Sequence, residues 1–192
     1  MATERWTVAT VYPDMWVDGR DDPREALPRP VGERDTLWSY LKQYRLTLEM
    51  KCDGLDAEQM ARRSVPPSTM SLLGLVRHLA AVEQSWFRQV LQEDDSLPRL
   101  WGVSAANPDA DFDDAVPDPA MVQEAWGAWR REVAAADIWI ASLPDSDLGR
   151  EIPRGDGHAV VREVLVHLIE EYARHCGHAD LLRECVDGRV GQ

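Results

Sequence analysis

Along HLIEEYARHCGH, residues 167–178, the polar side chains His167, Glu171, His175 and His178 recur at spacings of four, four and three. In a helix this spacing places them on one continuous stripe. The apolar residues Val164, Leu168, Tyr172, Ala179 and Leu182 run beside that stripe, so it is expected to be partly buried. Buried imidazoles and carboxylates need partners, and a divalent cation is one such partner. A further imidazole, His78, sits in LLGLVRHLAAVEQSWF between Leu75 and Val82, on the side of a helix that should face inward. Around it Ser71, Gly74, Ala81 and Ser85 are small, which predicts a cavity beside the ring with room for a ligand or substrate.

Two imidazoles and one carboxylate make a known kind of open zinc site, in which three protein ligands leave the fourth position to water or substrate. The same donors suit Ni²⁺, Mn²⁺ or Fe²⁺. From spacing alone this reading stands beside plainer ones. His78 also reads as a hydrogen-bonded core histidine, Glu171 and His175 as an i,i+4 helix pair, and His167 as a residue at the edge of the core. Cys176 follows His175 by about 100° around the helix and reads as a small buried filler. Glu170 reads as solvated and His158 as part of a turn.

Four long helices are expected to carry these residues. The first spans 34–52, where Leu37, Trp38, Leu41, Tyr44 and Leu48 keep helical spacing and Gly54 marks the stop. After the break VPPST, with Ser68 as the expected N-cap, the second runs to about Gln92 on the stripe Leu72, Leu75 or Val76, Leu79, Val82, Trp86 and Val90. Residues 93–117 are rich in Asp and Pro and show no helical pattern, so a long crossover is expected between the second and third helices. Asp118-Pro119 then opens a third helix that stops before Pro144. The stretch REIPRGDGHAVV predicts a short hairpin. The fourth helix runs from Val161 to Asp187, with Gly188 beyond its end. The fold class is therefore all-α, a four-helix bundle over residues 34–192. Residues 1–33, punctuated by Pro and Gly, form an extended arm whose Trp6, Val8, Val11 and Trp16 lie across the domain or reach a second subunit.

A chain of 192 residues suits one domain. Its formal net charge of −13 argues against nucleic acid, which demands a basic footprint, and against anionic membrane surfaces. No apolar run reaches the ~18 residues of a membrane span, and the opening MATERWTVATVYPDMW is too polar for a signal peptide. The three cysteines, Cys52, Cys176 and Cys185, are odd in number and lack framework spacing. A cytoplasmic location with reduced thiols is the expectation.

The phrases VPPSTMSLLGLVRHLAAVEQSWF and VLVHLIEEYARHCGHADLLRE resemble the DUF664 branch of the DinB-like superfamily, in register over roughly 34–187. The resemblance implies a four-helix bundle with a long link between its second and third helices, and a divalent metal, zinc or nickel, between the second and fourth. Members often carry a His-x₃-His pair in the fourth helix, whereas this sequence has Glu171-x₃-His175. In this it is similar to the N-terminal domain of the mycothiol-dependent maleylpyruvate isomerase, whose ligands are His, Glu and His. The resemblance thus implies His78, Glu171 and His175 as metal ligands, with His178 supporting a ligand or facing substrate as a catalytic residue. The isomerase has a further C-terminal domain for which residues up to Gln192 leave no room, so isomerase activity itself is not expected. Usage of 19 Arg against 2 Lys fits the GC-rich coding of an actinobacterium, where the thiol would be mycothiol. The implied activity is a metal-dependent thiol S-transferase acting on a low-molecular-weight thiol and a small electrophile. A metal-dependent hydrolase and a non-catalytic metal-binding bundle, acting as a homodimer or in stress response, are the alternatives.

Overall fold

The computed structural model describes residues 16–191. Trp6, Val8 and Val11 of the arm lie outside the described residues. Trp16 lies within them and is buried on the domain, its ring bracketed by Lys51 Nζ at 4.1 Å and by the guanidinium groups of Arg183 and Arg189 at 5.2 and 3.7 Å.

Helix α1 spans Gly32–Cys52 and a short α2 spans Ala57–Ala61, opened by a capping box between Asp56 and Gln59. Helix α3, Leu72–Glu83, continues as a π-helical segment over Gln84–Val90. Its N-cap is Ser71 rather than the expected Ser68. Ser71 Oγ accepts from Gly74 N–H at 3.1 Å, while Ser68 Oγ accepts from Met70 N–H in the preceding turn. The crossover is not devoid of helix: it contains a 3₁₀ turn, Leu100–Gly102, and the short α4, Ala110–Asp113. Helix α5, Pro119–Ser142, starts as expected, with Asp118 Oδ1 accepting from Ala120 N–H at 2.8 Å. Strands β1 (Glu151–Arg154) and β2 (Gly157–Val160) form the antiparallel hairpin. Helix α6, Val161–Asp187, ends at Gly188, whose φ of +79° closes the helix in the left-handed conformation that favours glycine.

The four long helices α1, α3, α5 and α6 give an all-α bundle in which α1 packs along α6, α3 along α5, and α3 also meets α6. Leu41 and Leu48 of α1, Leu72, Leu75, Val76 and Leu79 of α3, Trp129, Ala136 and Ile140 of α5, and Leu168, Tyr172 and Ala179 of α6 are buried in one core. At the end of α3 the inward face departs from the expected stripe. Val82, Trp86 and Val90 are half-buried, and Glu83, Phe87 and Leu91 take the interior instead. No helix among the described residues is long and apolar enough to cross a membrane.

A carboxylate enters this core because its charge is met there. Arg45 donates to both Glu83 oxygens at 2.8 and 2.7 Å and to Asp137 Oδ1 at 2.8 Å. Tyr172 O–H donates to Glu83 Oε1 at 2.7 Å, and Trp129 Nε1–H donates to the Tyr172 hydroxyl at 2.8 Å. The network draws one or more side chains from each of the four long helices and so fixes their relative rotation, which sets the orientation of the polar stripe on α6.

Candidate functional site

Because α3 and α6 pack together, His78 meets the stripe of α6. Among the described residues, His78, Glu171 and His175 form a group whose ligand atoms all lie within 4.8 Å of one another. Glu171 Oε2 lies 3.4 Å from His175 Nε2 and 4.0 Å from His78 Nε2. Two imidazoles and one carboxylate converging in this way fit a divalent cation. His175 is buried, whereas the His78 and Glu171 side chains retain 24% and 20% exposure, so the group can be reached from solvent.

Each of the three has a further neighbour. His78 Nδ1 lies 2.7 Å from Asp111 Oδ2 on α4. His175 Nδ1 lies 3.3 Å from His178 Nδ1. Glu171 turns its other oxygen, Oε1, toward His167 Nε2 at 3.7 Å. His178 therefore stands behind a member of the group, half-buried. Trp86, on the π-helical segment, meets the His167 ring edge-on at 4.8 Å, and the Arg154 guanidinium of the hairpin covers Trp86 at 4.1 Å. Wide helical turns of this kind recur at functional sites.

Burial acts on the charge state of one member of the group. Burial, with the neighbouring His78 second, pushes His175 down to about 4 from its ordinary 6.5, against the opposing pull of Glu171. Its ring is thus neutral near pH 7, the form that ligates metal. Cys176 faces away: its Sγ lies 3.5 Å from Tyr44 O, and burial pushes the thiol up to about 12. It is a buried filler, as its position on the helix predicts. Glu170 is exposed, and His158 is exposed on β2.

On the Gly74 side, the cavity expected beside His78 is filled. Phe112 of α4 stacks on the His78 ring at 4.8 Å, and a Cβ on Gly74 would lie 3.0 Å from the Phe112 ring. The small residue makes room for the crossover rather than for a ligand. Asp111 was not identifiable in the sequence, where it is one of many acidic residues between 93 and 117.

No curated protein matches the chain. The sequence model of the family described as Mycothiol-S-transferase (MST) matches residues 36–188, from within α1 to just past α6. That match takes in both His78 and the whole stripe of α6, and on it the chain belongs to the mycothiol S-transferase family, a DinB-like family.

Proposed function

We propose that this protein is a divalent-metal-dependent thiol S-transferase whose ion, zinc or nickel, is held by His78, Glu171 and His175, and whose thiol is mycothiol. The observation that carries the reading is the convergence of these three donors within a chain matched by the mycothiol S-transferase family. A divalent ion held by two imidazoles and a carboxylate supplies net positive charge, which favours a thiolate over a thiol.

The protein's own groups do the rest. His178 Nδ1, 3.3 Å from His175 Nδ1, accepts the His175 Nδ1–H and so leaves Nε2 for the ion; of the roles the sequence left open for His178, the geometry favours this supporting one. His167, half-exposed and next to Glu171 Oε1, receives the thiol proton at a ring nitrogen and passes it to solvent. Phe112 and the crossover cover one side of His78 and restrict water there. The sulfur then forms a bond to the electrophilic carbon of the second substrate as the carbon–leaving-group bond breaks.

The test uses protein loaded with one divalent ion, mycothiol and monochlorobimane, in which the C–S bond replaces C–Cl. Adduct formation should be accelerated by the loaded protein and abolished by a chelator, by His78→Ala and by His175→Ala. A fully loaded protein that gives no acceleration over the uncatalysed reaction overturns the reading and leaves a metal-binding bundle.

A further inference from the structure

Among the acidic residues of the crossover, Asp111 is buried, at 4% exposure. Its Oδ1 accepts from Phe112 N–H at 3.0 Å and its Oδ2 meets His78 Nδ1 at 2.7 Å, across 33 residues of sequence. The seat of α4 on α3 is secured independently of that contact. Arg77 Nη2 donates to Ala110 O at 3.0 Å, Trp101 Nε1–H donates to Arg77 O at 2.7 Å, and the Phe112 ring lies in the space left by Gly74. The carboxylate is therefore presented to His78 by packing and does not follow it passively.

A neutral imidazole carries one ring proton, on one of two nitrogens, and an ionised carboxylate only accepts. With His78 neutral and Asp111 ionised, the 2.7 Å contact with Asp111 Oδ2 places the ring proton on Nδ1. The unprotonated Nε2 is then the nitrogen turned toward Glu171, 4.0 Å from Oε2. We propose that Asp111 is a positioning residue that holds His78 as the Nδ1–H tautomer with Nε2 free for a cation, so that the crossover helix α4 is part of the metal site. Carboxylates behind ligating imidazoles act in this way by fixing the ring and raising its basicity. The inference rests on the reading of His78 as a ligand, and it adds that docking of α4 and loading of the ion favour one another.

Asp111→Ala and Asp111→Asn are compared with the unaltered chain and with His78→Ala. Zinc affinity is measured by competition with a chromophoric chelator. The ¹⁵N shifts of the His78 ring are measured in metal-free protein at pH 8. The unaltered chain should show Nδ1 protonated and Nε2 bare. Asp111→Ala should shift His78 toward the other tautomer and weaken zinc binding about 10–100-fold. Asp111→Asn, which keeps an acceptor oxygen, should lose less. A purely structural role would lower the melting temperature without moving the tautomer. Asp111 variants with unaltered ring shifts and zinc affinity overturn the inference, and leave the ligand reading intact if His78→Ala still loses zinc. Zinc binding that survives His78→Ala overturns both. Should Asp111→Ala not fold, the same two measurements on Asp111→Asn decide the matter.

Discussion

Arg45 and Glu83 face one another as a two-pronged ion pair in the middle of the bundle, at 2.8 and 2.7 Å, with Glu83 fully buried. Two long helices meet through this pair, and Tyr172 and Asp137 extend it to the other two. Burial and charge are compatible here only because every member has a partner.

Breaking this pair from one side should therefore be severe. Glu83→Ala leaves the Arg45 guanidinium buried with Asp137 alone and is expected to cost about 3–5 kcal/mol. Tyr172→Phe removes one donor and strands the Trp129 N–H, at about 1–3 kcal/mol. Chemical denaturation of metal-free protein measures both. The double replacement Arg45→Met, Glu83→Leu should recover most of the loss of the single change; equal loss in both would show that packing, not the unpaired charge, sets the cost.

Metal content separates the three donors from their surroundings. Purified protein, or protein reloaded after chelation, should hold about one divalent ion per chain by elemental analysis. His78→Ala and His175→Ala should hold none. Loading should also raise the melting temperature by mass action, in proportion to the logarithm of free metal. Full metal content in both variants would remove His78 and His175 as ligands.

The pH dependence follows from His175. In the unfolded chain its pKa is the ordinary 6.5, and in the folded protein it is about 4. Between those values the unfolded state binds a proton that the folded state does not, so stability rises with pH across this window. Metal-free protein should therefore lose stability as pH falls from about 6.5 toward 4, with no further contribution from this residue below it. His175→Gln should flatten that part of the profile. Urea midpoints of the two proteins between pH 7.5 and 4.5 compare them, and parallel curves would contradict the depressed value.

Gly74 tests the seat of the crossover. Its absent Cβ would come within 3.0 Å of the Phe112 ring and 3.3 Å of the Phe112 Cα. Gly74→Val adds two methyl groups beyond that and should cost about 1–3 kcal/mol by overpacking. It should also weaken metal binding, because Asp111 moves with Phe112. A Gly74→Val protein with normal stability and normal zinc affinity would show that α4 yields freely.

Thiol labelling distinguishes the cysteines. Cys52 and Cys176 are buried and Cys185 is exposed. Burial pushes the thiols of Cys52 and Cys176 up, that of Cys176 to about 12, so neither forms thiolate at neutral pH. Iodoacetamide on the folded protein should modify Cys185 alone by mass spectrometry, and Cys176→Ala should leave transfer to monochlorobimane unchanged. Rapid native labelling of Cys176 would contradict its burial.

Much of the bundle is legible in the sequence, because helical periodicity and caps act within a few residues. The 3.6-residue repeat marks α1, α5 and α6, Asp118-Pro119 opens α5, and Gly188 closes α6. The stripe His167, Glu171, His175 and His178 is likewise a property of one helix. Where two local signals compete, sequence is a weaker guide. Ser68 and Ser71 both suit an N-cap, and the choice depended on how the chain leaves the turn before α3.

The four long helices and the polar stripe of α6 follow from spacing along one segment, whereas α2, α4 and the half-exposed setting of His78 do not. Packing between helices is what brings Glu83 into the core, because its stabilising partner lies 38 residues away on α1. It alone singled out Asp111, one carboxylate among many in the crossover, and turned the small side of α3 at Gly74 into a seat for Phe112. Local spacing fixes which face a residue shares; the partner it meets there depends on the packing of separate segments, which no local pattern encodes.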